Sequence, residues 1–339
     1  AGDSSGRRGA HGVLARPIAR GDRPRLIAML RVLELYAGIG GAAAALDAFD
    51  LTTDTVALDI DRGVLAVYAH NFSHTTVAKH FDAVPSDWLA AREADLWWAS
   101  PPCQPFTRRG RRRGLNDPRG ATFRALLRQI EAVRPPSLAI ENVVGFDSSA
   151  ARDALITCLD QAGYTWRETV LCPSELGLPN RRPRYYLAAS RRGEPAMVDR
   201  RPRRPRPKLG DLVDPAADHV ALRVDVDLAR RYDGALHIVD VDDNDAVTSC
   251  FTSAYGRSPV RSGSYLRLID GGLRRFAPSE ILRLLDFPPR YALPTTLSYA
   301  SAWRMIGNSL ALEPVRRLLA TLPDLADARR HHPSDREAP

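Results

Sequence analysis

The stretch LRVLELYAGIGGAAAALDAFD, residues 30–50, constrains the fold more than any other part of this 339-residue chain. Its first seven residues form a short apolar run ended by glycine, which reads as a buried strand. Gly38, Gly40 and Gly41 make the turn, and a small-residue helix follows with Leu46 and Phe49 on its apolar face. A strand feeding a glycine turn that opens a helix is the first half of a crossover unit. It commits the chain to an α/β architecture with a mainly parallel sheet.

The alternation continues. TVALDID (55–61) is a second strand ending in acids, and GVLAVYAHNF (63–72) has helical spacing at Val64, Val67 and Tyr68. ADLWWAS (94–100) is a further strand, and residues 121–133 form a helix stopped by Arg-Pro-Pro. SLAIENV (137–143) is the next strand, and RYYLAAS (184–190) closes the series. Composition then changes: residues 191–208 hold eight basic residues among frequent prolines, which exclude a packed helix or a central strand. We read this segment as a linker into a small domain. Helical periodicity returns over 279–287 and 298–322. The expected organisation is a disordered leader (1–28), a main Rossmann-like domain (29–190), linker plus small domain (191–272), a return to the main domain (273–323) and a disordered tail (324–339).

A formal net charge of +8 favours an anionic partner such as nucleic acid, although half of that excess lies in residues 1–28, with six arginines and two aspartates. The four cysteines are Cys103, Cys158, Cys172 and Cys250, with no C-x-x-C pair and no zinc-like spacing. Free thiols, no metal, no membrane span and a cytoplasmic location are the expectations. Oligomeric state stays open.

Four places carry candidate chemistry. In the glycine turn, backbone approaches a ligand at a helix N-terminus, and Asp59 at the end of the second strand is placed to bind ribose hydroxyls. The same turn is also a plain structural device, and the G-x-G-x-x-G dinucleotide pattern is not met. In SPPCQPF, Cys103 stands in a stiff, proline-rich turn before Arg108, Arg109, Arg111, Arg112 and Arg113. That field favours thiolate and attracts phosphates, whereas the alternative is an inert buried thiol. In IENV, Glu141 closes an apolar strand, where partial burial would favour its acid form; the alternative is a helix-capping carboxylate. Arg182 and Arg184, two apart before a strand, either face one side together or form a solvated basic turn.

Tyr-Ala-Gly-Ile-Gly-Gly, Pro-Pro-Cys-Gln, Glu-Asn-Val, Asn-x-Arg-x-Arg and Gly-Asn-Ser occur in that order. The set resembles the cytosine C5-methyltransferase family from about residue 30 to 322. Locally, LELYAGIGG, SPPCQPFT, LGLPNRRPRYYL and above all CFTSAYG (250–256) resemble the branch that looks like DNA methyltransferases but methylates an anticodon-loop cytosine of tRNA-Asp. The resemblance implies a Rossmann-like S-adenosylmethionine-dependent methyltransferase domain with a small target-recognition domain. It implies S-adenosylmethionine over Tyr36, Gly38, Gly40 and Gly41, with Asp59 on the ribose, Ile60 and Asp82 at the adenine, and Asn308 at the methionine end. Cys103 would attack C6 of the base, Glu141 in its acid form would donate to N3, and Arg182 would support the same edge. Gln104, Arg184, Cys250, Thr252 and Tyr255 are expected toward the substrate, with Cys250 either a packing residue or a second thiol lining the cleft.

The arginine block and the basic linker depart from what the branch leads one to expect. The leading expectation is tRNA methylation, with duplex DNA as the alternative substrate and a non-catalytic nucleic-acid binder as the third reading. CFTSAYG and a small domain too short to read a DNA groove favour RNA.

Overall fold

Seven strands build the central sheet of the computed structural model, which describes residues 29–49, 51–102, 120–214, 217 and 219–325. The expected leader, Cys103, Gln104 and the arginine block lie outside the described residues. The strands are β1 (Leu30–Leu35), β2 (Thr53–Asp59), β3 (Thr75–Ala78), β4 (Leu96–Ala99), β5 (Ser137–Val143), β6 (Thr165–Leu171) and β7 (Arg184–Ser190). Their spatial order is β3-β2-β1-β4-β5-β7-β6. Every neighbouring pair is parallel except those of β7, which runs antiparallel to both β5 and β6. Interleaved are α1 (Gly41–Leu46), α2 (Arg62–Asn71), α3 (Ser86–Ala90), α4 (Ala121–Val133) and α5 (Ala150–Gln161).

Strand alternation sorts the core into two layers. Leu30 and Val32 of β1, Trp98 of β4 and Ala188 of β7 face one cluster with α1 and the C-terminal helices. Leu33 and Leu35, Trp97 and Leu187 face the other, with α4 and α5. Both faces are covered, so the strands read as near-continuous apolar runs. The edge strands β3 and β6 were not anticipated, because TTVA and TWRETVL are short or half-polar and carry weak strand signals.

Residues 193–208 form no helix or strand, as expected of so many prolines, yet they are packed as a strap rather than free. Arg167 Nε donates to the Pro195 carbonyl at 2.6 Å, and Arg200 Nη2 to that of Val170 at 3.0 Å. The small domain follows with α6 (Leu209–Leu212), α7 (His219–Leu222), α8 (Val226–Arg231) and a sheet of β8 (His237–Val239), β9 (Ser264–Arg267) and β10 (Leu273–Arg275). β10 begins one residue past the expected boundary at 272.

The chain then returns through α9 (Pro278–Leu284), α10 (Tyr299–Gly307) and α11 (Leu312–Leu319). The fully buried Arg317 of α11 pairs with Glu313 at 2.6 Å and donates to the carbonyls of Asp199 and Arg201, which pins the strap from beneath. Leu325 is also buried, so the first residues assigned to a tail belong to the core. Among the described residues no helix is long and apolar enough to cross a membrane.

Candidate active site

The glycine turn is shaped by three different demands. Gly38 has φ +54°, and a Cβ there would meet nothing within 4 Å among the described residues, which leave open space in front of it. Gly40 has φ +87°, and a Cβ would sit 2.6 Å from the Phe72 ring. At Gly41 a Cβ would fall 2.9 Å from that of Leu310, so α1 and the segment after α10 touch backbone to side chain. Tyr36 also adopts positive φ, at 58°, and its ring packs on Phe81 at 5.3 Å.

Asp59, at the end of β2, accepts from Gly38 N and Asp61 N, both at 2.9 Å. The carboxylate is thereby fixed against the turn. Ile60, next along, is 63% exposed, a rare position for isoleucine. Ala78 pairs with Asp59 in register, so the loop leaving β3 carries Asp82 to the same edge, where it contacts His80. Beneath the turn, Glu34 is buried and accepts from Ala42 N at 3.1 Å and Tyr68 Oη at 2.9 Å. Burial pushes its carboxyl up to about 7, against the two hydrogen bonds that favour its ionised form. Sequence reading missed Glu34, although a lone acid inside an apolar strand was the available signal.

A second cluster lies where β4 and β5 end and β7 begins. Glu141 is buried, and its carboxyl is raised above the ordinary range by burial, with Arg184, Arg182 and a hydrogen bond from Ser100 acting the other way. Arg184 Nε stands 3.3 Å from Glu141 Oε1. Asn142 donates to the Pro101 carbonyl at 3.2 Å, which ties the Glu-Asn-Val strand to the turn entering Cys103. Ser100, held by Trp98 Nε1 at 2.9 Å, escaped notice in the sequence, though it immediately precedes that turn.

Arg182 does something else. Its Nη1 donates to Phe251 O at 2.7 Å and to Cys250 Sγ at 3.4 Å. Its Nη2 donates to Gly307 O at 3.1 Å and to Ser309 O. One buried guanidinium thus joins the Cys-Phe-Thr segment to the Gly-Asn-Ser segment. Gly307 completes the join: a Cβ there would lie 2.2 Å from the Thr252 carbonyl carbon. Asn308 is exposed at the end of α10, between this contact and the Leu310 contact with Gly41. The buried Ser309 Oγ has no hydrogen-bond partner among the described residues. Cys250 takes a further bond from Arg184 Nη2 at 3.7 Å. Burial raises its thiol, and the two guanidinium groups more than reverse this, so it lies below the ordinary cysteine value.

The structure therefore gathers Tyr36, Gly38, Gly40, Gly41, Asp59, Ile60 and Asp82 on one side, Glu141, Arg182, Arg184 and Cys250 on the other, and Asn308 between. Two expectations need correcting. Arg182 was expected along the base edge, but its terminal nitrogens are committed to three backbone carbonyls and a thiol. Arg184 holds the place beside Glu141. Tyr255 was expected toward the substrate, but it is fully buried: its hydroxyl donates to Ser264 O at 2.6 Å and accepts from Phe276 N at 2.9 Å. Its part is packing. Thr252 lies at the contact with Gly307, and its N–H bonds Ser262 O at 2.8 Å. Among the described residues no cluster of His, Cys, Asp and Glu is arranged to hold a metal.

Comparison with known proteins agrees with this geometry. A tRNA (cytosine(38)-C(5))-methyltransferase of Spodoptera frugiperda is 31% identical, over 86% of this chain and 98% of that protein. A DNA (cytosine-5)-methyltransferase of Dictyostelium discoideum is 28% identical, over 86% of this chain and 94% of its own length. The crystal structure of the S. pombe Dnmt2 methyltransferase superposes with a TM-score of 0.77 at 26% identity, covering 86% of this chain and 97% of that one. Residues 30–232 match the C-5 cytosine-specific DNA methylases, and the chain belongs to that family.

Proposed function

We propose that this enzyme methylates C5 of a cytosine in tRNA, using S-adenosylmethionine, through a covalent adduct between Cys103 and C6 of the base. The observation that carries the chemistry is Glu141, a buried carboxyl shifted toward its acid form at the strand end that is tied to the Pro101 turn. The RNA reading is supported by CFTSAYG and by the name borne by the S. frugiperda relative.

The glycine turn fits the cofactor: the space before Gly38, the fixed Asp59 carboxylate, the exposed Ile60 and the orphan Ser309 hydroxyl beside Asn308 suit a ribose, an adenine face and an amino-acid end. When bound, S-adenosylmethionine supplies the methyl group to C5. Cytosine C5 is a poor nucleophile, so the Cys103 thiolate adds first at C6 and pushes electron density into the ring. Glu141 in its acid form donates to N3, where that charge collects, and Arg184 stabilises the carboxylate left behind. Loss of the C5 proton to water then expels the Cys103 thiolate, and N3 returns its proton to the Glu141 carboxylate as the aromatic ring is restored. The target base must leave its stack, which costs less in a loop than in a duplex.

The test is methyl transfer from radiolabelled S-adenosylmethionine to tRNA-Asp transcript, bulk tRNA and unmethylated duplex DNA, with Cys103→Ala as control. Label in tRNA-Asp that the variant loses is the expected result. Label in DNA alone would overturn the RNA reading and leave the cysteine chemistry standing.

A further inference from the structure

Residues 246–269 contain no aspartate or glutamate and three arginines, Arg257, Arg261 and Arg267. Arg267 is neutralised by Asp240 at 3.0 Å. Arg257 and Arg261 are exposed, and neither has a carboxylate partner among the described residues; Arg257 donates only to its own loop, to Ser253 O at 3.0 Å. In the crowded strap Arg201, Arg204 and Arg206 meet Asp199, Asp286 and Asp245, while Arg203 is exposed with no carboxylate partner among the described residues.

The loop that presents these two cations is built rigidly on the active site. Its base is the Thr252 N to Ser262 O bond, one residue from the Phe251 carbonyl that Arg182 holds. Ser258 N and Arg257 N both bond Ala254 O, at 2.8 and 3.0 Å, and Ser262 Oγ bonds Ser258 O. Gly256 lies flat on Trp303, where a Cβ would be 2.4 Å from the ring, and Gly263 abuts Phe251 and Tyr255. Arg261 itself has φ +59°, a conformation that glycine would adopt without strain. A strained backbone position at the rim of a site, carrying an unpaired guanidinium, points to a ligand for that group.

We propose that Arg257 and Arg261 grip backbone phosphates of the RNA segment flanking the target cytosine. This deepens the tRNA reading and rests on it. Extruding one base from a loop requires the strand on either side to be held, and unpaired guanidinium forks match phosphate oxygens bidentately. The rigid loop fixes those forks relative to Cys250 and Arg184, so the grip sets where the base enters.

The experiment measures the Kd of an unmodified tRNA-Asp transcript by filter binding across a potassium chloride series, alongside methyl transfer. For wild type against R257Q/R261Q, the slope of log K on log salt should become shallower by about 1.4, at about 0.7 for each single-strand phosphate no longer neutralised. The accompanying loss of activity should fall on KM rather than kcat. R257K/R261K should keep most of the slope. R261G removes backbone strain and should lose its share of the slope while melting no lower than wild type, which separates binding from misfolding. An unchanged slope in R257Q/R261Q, beside a wild type that binds and methylates tRNA, overturns this inference alone. A wild type that ignores tRNA and methylates duplex DNA overturns the RNA reading and this inference with it.

Discussion

Arg184 Nε sits 3.3 Å from Glu141 Oε1, diagonally across the antiparallel β5–β7 pair, in which Glu141 faces Tyr186 and Val143 faces Arg184. Arg182, two residues earlier and outside the strand, turns away to three carbonyls. The two arginines of one short motif thus divide the work between acid tuning and framework.

Their variants should separate accordingly. Arg184→Gln removes a positive charge that holds the Glu141 carboxyl down, so its acid form should persist to higher pH. The alkaline limb of the kcat/KM profile should move upward while the melting temperature changes little. Arg182→Met should instead lose on the order of 3–5 kcal/mol of stability, because it strands buried carbonyls. Denaturant melts and pH–rate profiles on both variants check this, and a reversed pattern would reassign the roles.

Gly307→Ala should be among the most damaging single-methyl changes in the chain. The added carbon would enter the Thr252–Ser253 backbone, which has no side-chain freedom with which to yield. We expect a loss of about 3 kcal/mol or more and a raised KM for both substrates, since the two segments that meet there flank the cofactor and base sides. A variant as stable as wild type would contradict that packing.

Stability should fall as pH rises toward neutrality on account of Glu34. Its folded value of about 7 lies above the ordinary 4.5, so between these values the native state binds more protons than the unfolded state. The contribution favouring the fold is complete below about pH 4.5 and is lost as pH rises through about 7, on the order of 3 kcal/mol in all. Glu34→Gln mimics the acid form, can still accept from Ala42 N, and should flatten that slope. Chemical denaturation at pH 6 and pH 8 reads the difference.

Tyr255→Phe keeps the ring against Phe251 and Trp303 and removes a hydroxyl used twice. A cost of about 1–3 kcal/mol with kcat nearly unchanged is expected. A large fall in kcat at full folding would return Tyr255 to the substrate.

Much of this is legible in the sequence. The β1 turn, Asp59, the Glu-Asn-Val strand and the return of the chain at α10 and α11 announce themselves through short-range pattern, because strand alternation, glycine turns and helical spacing are local. What escaped depends on distant partners. Nothing in NRRPR says that the first arginine of the pair reaches residues 251, 307 and 309 while the second reaches 141. The prolines of the strap correctly excluded helix and strand, but its attachment to Arg317 lies more than a hundred residues away. Tyr255 looked functional because it belongs to a diagnostic segment, and that segment is as much framework as contact surface.

The two faces of the sheet close at different moments of synthesis. The layer around Leu33, Trp97 and Leu187 draws every buried member from residues 33–189, so all its parts have been made once β7 is complete. The layer around Leu30 and Val32 draws on residues as late as Leu325. A nascent chain halted after the small domain would hold one finished face and one bare apolar face, the side of α1 that α11 covers still open to water. Until its last helices are made, that side of the first strand and of α1 lacks the cover of α10 and α11, and any chaperone that attends this protein has that interval in which to act.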